Sequence, residues 1–240
     1  MPHFYVNPKD IVNSNFTLTG EQFHYLSGVR RFKSGDEINI FDGLGNSFTA
    51  KIISVNKNSL TGQIISKLPF VLPKIKVTLY TAIAKGERFE WLIEKCAELG
   101  VSKIVPVITA RSVINEISEN KFERYKKISI SASSQSNRAD LMIIEHPVKF
   151  INAVDCVSKQ KDASNIIPWE CEETNAVDNV LKDLKNIKNI NIFIGPEGGF
   201  ENSETEYAFK NNITPVTLGK NILRVETAAL AACILVINKS

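Results

Sequence analysis

The rhythm of hydrophobic and polar positions changes near residue 70. Up to about residue 66, short segments show partial alternation: Phe4-Tyr5-Val6, residues 37–41, residues 47–55 and residues 60–65. Turn chemistry separates them, as in Asp42-Gly43-Leu44-Gly45-Asn46 and Asn56-Lys57-Asn58-Ser59. Short strands at this spacing predict a small β-barrel, interrupted by one helix over 21–29. Pro69 and Pro73 bracket a linker over 67–74, because proline interrupts both ladders and helices. From Ile75 onward strand-like and helix-like patterns alternate, which predicts a mainly parallel sheet with crossover helices. The fold class expected is therefore α/β, with a barrel domain over 1–68 and a larger domain over 74–240.

Within the larger domain, residues 76–84 read as a strand. Phe89, Leu92, Ile93, Cys96 and Leu99 then recur at helical spacing, and Gly100 closes that helix. Residues 104–108 form a second strand. A polar-faced helix over 120–133 turns Phe122, Tyr125 and Ile128 inward. Residues 149–188 read as helix, short strand over 166–169, helix. A strand over 189–194 runs straight into Gly195-Pro196-Glu197-Gly198-Gly199, and Ser203 with Glu206 predicts a capping box for the next helix. Residues 215–218 form another strand, ending in Gly219-Lys220-Asn221. The last helix, 225–238, is nearly all alanine and aliphatic.

Composition narrows the function without naming it. Of 240 residues, 43% are apolar and 23% charged, which is ordinary for a globular protein. Net charge is only +3, so any nucleic-acid contact must come from a local basic surface. The four cysteines form no C-x-x-C pair and two lie in apolar stretches, which reads as reduced, buried thiols rather than a metal site. His3, His24 and His146 are too far apart in sequence to suggest ligands, so no metal is expected. The N-terminus lacks the pattern of a signal peptide. The longest apolar run, 228–237, is about half of what a membrane span needs. A cytoplasmic protein without membrane contact is expected.

Two strand ends each feed a glycine-containing loop, 195–199 and 218–224. Ligands of open parallel sheets sit outside the carboxyl ends of the strands, and glycines there let the backbone approach a ligand closely. G-P-E-G-G has neither the dinucleotide spacing nor the P-loop lysine, so phosphate binding is not favoured. On pattern alone, an ordinary tight turn and a ligand loop both fit. Glu226 suits the start of the last helix. Arg224, just before it, is harder to explain as a helix stabiliser and could orient a carboxylate, a phosphate or a base edge.

These residues carry a resemblance. Gly195-Pro196-Glu197-Gly198-Gly199-Phe200, then Leu218-Gly219, then Ile222-Leu223-Arg224-Val225-Glu226-Thr227-Ala228, resembles the small-subunit ribosomal RNA uracil-N(3)-methyltransferases of the SPOUT superfamily. Phe41-Asp42-Gly43, Lys85-Gly86, the Lys95/Glu98-Leu99-Gly100-Val101 helix end, Ile104-Val105-Pro106, Arg111-Ser112-Val113 and Gln135-Ser136 with Arg138 extend it along nearly the whole chain. The chain departs from the family at His3, where arginine is usual, at Ser134 in place of glutamate, and at Leu141-Met142 in place of Val-Pro.

The resemblance implies a PUA-like barrel followed by a domain tied in a trefoil knot, and a homodimer, commonly formed through the last helix; burial of that alanine-rich helix in its own core fits the sequence equally. It implies S-adenosylmethionine as cofactor, held by Ile194, Gly195, Gly198, Gly199, Leu218, Gly219, Ile222 and Leu223. It also implies a substrate in small-subunit ribosomal RNA or the assembled small subunit. Methylating a uracil nitrogen requires that its proton be removed or the uracil anion stabilised. Glu197 and Glu226 are candidate bases, with water a third, and Arg224 or Arg138 is the candidate cation. Arg30, Arg31, Lys85, Arg111 and Arg138 are candidate RNA contacts. A non-catalytic RNA-binding assembly factor on the same fold is the alternative; loss of Arg224 or of the glycine loops would have supported it.

Overall fold

The computed structural model describes residues 3–24, 26, 32–182 and 184–239. The chain divides into two units, Met1–Leu72 with Ile130–Leu141, and Pro73–Ser129 with Met142–Ser240. The inclusion of residues 130–141 in the first unit is not visible in a linear reading of the sequence.

The first unit is a six-stranded sheet, β1 (His3–Tyr5), β2 (Ile11–Val12), β3 (Asn15–Thr19), β4 (Glu37–Phe41), β5 (Ser47–Val55) and β6 (Ser59–Leu68). Its strand order is β1-β4-β5-β6-β3-β2. A short helix, α1 (Gly20–His24), follows β3, and the rest of the helix expected over 21–29 falls largely outside the described residues. Alternation works as it should in β3, where Phe16 and Leu18 are buried between exposed neighbours. Phe4, Ile38, Ile40, Ile52 and Leu60 fill the interior with them. Phe4 thus belongs to the core.

The Asp42 carboxylate shapes the tip between β4 and β5 by accepting from the Leu44 and Asn46 backbone N–H groups at 2.8 and 3.0 Å. Residues 137–141 dock there. Leu141 N–H donates to the Gly43 carbonyl, and Gly45 N–H to the Ala139 carbonyl, each at 3.0 Å. Gly43 has φ 76°, and a Cβ on it would meet the Tyr5 ring at 3.0 Å, so no other residue fits comfortably.

His3 is buried against Ser47, with Nε2 and Oγ 3.0 Å apart. Burial pulls its imidazole below the free value of 6.5. A lowered value means that the fold prefers the neutral ring. The contribution is therefore complete above pH 6.5 and is lost as pH falls from there through the lower folded value. The expected result is a larger fall in urea midpoint between pH 7.5 and 5.5 for the native protein than for His3→Gln. Equal falls would mean that His3 does not set this dependence.

The second unit carries seven strands: β7 (Lys76–Ala82), β8 (Lys103–Ile108), β9 (Ile143–Ile144), β10 (Val148–Lys149), β11 (Ala163–Pro168), β12 (Asn189–Ile194) and β13 (Thr214–Val216). Their order is β10-β8-β7-β12-β11-β13, with β9 also on β8, and every pairing is parallel. The fold is thus α/β with a parallel sheet, as the sequence predicts. β7, β8 and β12 are near-continuous buried apolar runs, the pattern of a sheet covered on both faces. β12 slots between β7 and β11, although it comes after both in the chain.

The helices are α2 (Arg88–Leu99), α3 (Glu119–Gln135), α4 (Phe150–Val157), the short α5 (Val177–Val180), α6 (Asn202–Lys210) and α7 (Val225–Ile237). α2 ends as expected, with Gly100 at φ 98° returning its N–H to the Cys96 and Ala97 carbonyls. On α3, Phe122 and Tyr125 are buried, but the next inward turn is taken by Ser129 and Ile128 is only half-buried. Ser129 is buried because its hydroxyl donates to the Met142 carbonyl at 2.6 Å. α6 starts two residues earlier than its expected cap. Glu201 and Glu204, rather than Ser203 and Glu206, make the capping box. α7 packs on α2, β7 and β12. Among the described residues no helix is long and apolar enough to cross a membrane.

Candidate active site

β12 and β13 deliver the two glycine-containing loops to the same end of the sheet, as parallel strands must. Together with the segment after β11 they enclose a cleft of about 700 Å³ within the second unit. Its lining includes Ile194 to Phe200, Thr217 to Val225, Trp169, Glu170 and Arg88. The first loop is a tight turn in which Gly199 N–H donates to the Pro196 carbonyl at 2.9 Å. Gly199 has φ 68°, and a Cβ there would lie 2.9 Å from a Glu170 carboxylate oxygen. A Cβ on Gly195 would meet the buried Phe200 ring at 3.0 Å. This turn is therefore a tight turn that also walls the cleft.

The wall after β11 is laced to the β13 loop. Trp169 N–H donates to the Val216 carbonyl at 3.1 Å, Thr217 N–H to the Asn175 carbonyl at 2.9 Å, and Asn175 Nδ2 to the Pro215 carbonyl at 2.8 Å. Glu172 Oε1 caps its own turn by accepting from Asn175 N–H, Thr174 N–H and Thr174 Oγ1. Those donors, Asn175 N–H foremost, hold its carboxyl below the ordinary range.

Charge lines one side of the cleft. Arg88, at the first turn of α2, approaches Glu197 with Nη1 3.7 Å from Oε1, and both side chains are well exposed. Arg224 is the exposed N-cap residue of α7, and its side chain makes no capping hydrogen bond. Its guanidinium is thus not committed to the helix.

A chain with this geometry can be compared with known proteins. Residues 72–237 match the model of the RNA methyltransferase domain, and residues 18–65 that of the RNA methyltransferase PUA domain. A ribosomal RNA small subunit methyltransferase E from Rickettsia conorii is 34% identical, over 95% of this chain and 91% of the relative. The chain belongs to the ribosomal RNA small subunit methyltransferase E family. A Synechocystis protein of the same name is 32% identical over 95% of this chain and 74% of its own. The crystal structure of the Neisseria gonorrhoeae methyltransferase E, bound to S-adenosylmethionine, superposes with a TM-score of 0.87 at 29% identity, covering 99% of this chain and 97% of that one.

Set against the family resemblance, the structure gathers all eight residues expected to hold the cofactor, together with Glu197 and Arg224, around one cleft. It separates the two candidate bases, because Glu226 is on the first turn of α7 and is not among the lining residues. Lys85 is exposed on the loop between β7 and α2. Arg138 is 7% exposed and grips Asp140 through two contacts, Nη2 to Oδ2 at 2.6 Å and Nε to Oδ1 at 3.2 Å. It orders residues 137–141 of the first unit instead of projecting into solvent. Arg111 Nη1 donates to the Gly198 carbonyl at 2.7 Å. Arg30 and Arg31 lie outside the described residues.

Sequence reasoning missed Trp169, Glu170 and Glu172 as cleft residues. The W-E-C-E-E stretch after a predicted strand end was the available signal, since strand ends on this side of a parallel sheet carry sites.

Proposed function

We propose that this chain transfers a methyl group from S-adenosylmethionine to the N3 ring nitrogen of a uridine in small-subunit ribosomal RNA, free or in the assembled subunit. The observation that carries this reading is the cleft itself, walled by glycine turns and edged by an uncommitted arginine, in a member of this methyltransferase family. The cleft fits the cofactor. Its volume falls within the range of about 300–1,000 Å³ typical of small-molecule sites. Gly199, at φ 68°, holds a backbone conformation that a side chain there would strain. Backbone groups of the two loops, at Ile194, Gly195, Gly198, Gly199, Leu218, Gly219, Ile222 and Leu223, are the ones that would hold it.

Bound S-adenosylmethionine supplies an electrophilic methyl carbon on a sulfonium. The chain supplies what the uracil needs. Its imide nitrogen is a poor nucleophile until its proton leaves. Glu197, exposed in the cleft, is the acceptor, and Arg224 offers its planar fork to the oxygen on which the anion's charge accumulates. Glu226 belongs to the helix start, where a negative charge is favoured by the dipole. Lys85 adds a cation for phosphate contacts. Arg30 and Arg31 keep that role from the sequence alone.

The same reading includes a cytoplasmic protein and a homodimer through α7. Beyond its first turn that helix is apolar, and it leaves Ile234 and Leu235 about 40% exposed. Sedimentation should give twice the 26.8 kDa chain mass.

The test is transfer of labelled methyl from S-adenosylmethionine to purified small subunits lacking the modification, followed by nucleoside analysis. N3-methyluridine is the expected product, and Glu197→Gln is expected to lower the rate. If the cofactor binds and no RNA is labelled, a different RNA is the substrate. If the cofactor does not bind, the non-catalytic assembly-factor reading replaces this one.

A further inference from the structure

The turn that walls the cleft contains a Gly-Gly peptide, the unit of backbone with the widest choice of orientations. In this fold that peptide is pinned at both ends. The Gly199 N–H donates to the Pro196 carbonyl at 2.9 Å, and the Gly198 carbonyl accepts from Arg111 Nη1 at 2.7 Å. The second pin comes from another element, the loop that follows β8.

That loop is itself fastened. Thr109 N–H donates to Ser112 Oγ at 2.9 Å, and Ser112 N–H returns to the Thr109 carbonyl at 3.1 Å, which closes residues 109–112 into a turn. Ala110 N–H donates to Glu204 Oε1 at 2.9 Å, while the other oxygen of the same carboxylate accepts from Glu201 N–H at 2.9 Å. Glu204 therefore caps α6 and anchors the loop at once. The aliphatic part of Arg111 also covers Gly198, since a Cβ on that glycine would lie 3.5 Å from the arginine Cδ.

The geometry points to Arg111 as a positioning residue for the cofactor: it fixes the Gly198–Gly199 peptide in the orientation that S-adenosylmethionine meets. Arg111 touches neither the cofactor nor the RNA in this role. It acts through the Gly198 carbonyl. A peptide held in one orientation before binding removes an ordering cost from the binding step, which is how preorganisation raises affinity. Arg111 is exposed, so the global fold does not depend on it as it would on a core residue. The inference rests on the cofactor reading above and gives a residue first taken for an RNA contact a different task.

The experiment is calorimetric titration of S-adenosylhomocysteine into the full chain and into Arg111→Ala and Arg111→Lys. Filter binding of small-subunit RNA and thermal melts without ligand are run on the same three proteins. Arg111→Ala should bind S-adenosylhomocysteine about tenfold more weakly, the scale of one hydrogen bond from a charged donor. Its unliganded melting temperature should move by no more than about 2 °C, and its RNA affinity should stay unchanged. Arg111→Lys, which can still donate one bond to a carbonyl, should recover most of the loss.

Unchanged S-adenosylhomocysteine affinity in Arg111→Ala would overturn the inference. Weakened RNA binding with a shallower salt dependence would then return Arg111 to a phosphate contact. An affinity loss matched by a large drop in unliganded melting temperature would also overturn it, since that is general destabilisation. If the native chain binds no S-adenosylhomocysteine, the cofactor reading fails and this inference falls with it. The two failures are told apart by the native titration alone.

Discussion

Arg224→Ala is expected to lower kcat for RNA methylation by about 10²–10³-fold, the effect of deleting one preorganised donor aimed at developing charge. S-adenosylhomocysteine binding should stay within a few-fold. The reason lies in what the side chain does not do. An N-cap residue normally stabilises its helix by accepting a hydrogen bond from the first turn, and a guanidinium has only donors. Arg224 indeed makes no capping bond, yet it is an exposed residue lining the cleft. Arg224→Lys keeps the charge and loses the planar fork, so an intermediate rate is expected. Steady-state kinetics beside calorimetry separates the arms. A lost binding affinity with kcat intact would make Arg224 a cofactor ligand. No effect on either would move the anion-stabilising charge to Arg88, the other arginine lining the cleft.

What the sequence discloses about this site follows from which forces act locally. The strand over 189–194 and the helix ending at Gly100 are written in single stretches of chain, as an unbroken apolar run and as a helical stripe closed by glycine. They appear where the pattern puts them. β3 carries equally clean alternation, but it has only five residues and directly precedes α1, so it is easy to pass over. The capping box was displaced because S-x-x-E and E-x-x-E overlap by two residues. Only the starting point of α6, set by Ala208 and Thr205 turning inward, decides between them.

The site's long-range links were illegible for a different reason. Arg111 lies 87 residues from Gly198, and no spacing rule connects them. Arg138 reads as a loop cation until Asp140 is seen curled under it at 2.6 Å. Glu197 and Glu226 are equivalent in sequence and become distinct only when α7 turns one of them away from the cleft lining. The insertion of β12 between β7 and β11 belongs to the same class. Which strands become neighbours depends on the whole sheet, and local patterns say nothing about it.

Phe193→Ala should destabilise the protein by about 3–5 kcal/mol, the range for removing a fully buried aromatic from a core that cannot close over the gap. Phe193 is 0% exposed, one residue before the carboxyl end of β12. Its ring stacks on Tyr80 with centroids 4.6 Å apart and planes 8° from parallel, and it meets Phe150 edge-on at 5.8 Å. Tyr80 is also well buried, and that burial pushes its phenol up to about 12. Phe193→Leu refills part of the volume and should cost much less.

The effect should reach the cleft. Phe150 also packs on Phe200 at 5.0 Å, and the Phe200 ring is the surface on which Gly195 rests. Phe193→Ala should therefore loosen the floor beneath the turn proposed to hold the cofactor. It should weaken S-adenosylhomocysteine binding in conditions where the protein is still folded, whereas an equally destabilising change in the barrel, such as Phe16→Ala, should not. Urea unfolding of the two variants, followed by calorimetry at low urea, decides the matter. Equal ligand affinities in both would show that the aromatic cluster carries stability alone and that the turn is held by its own hydrogen bonds.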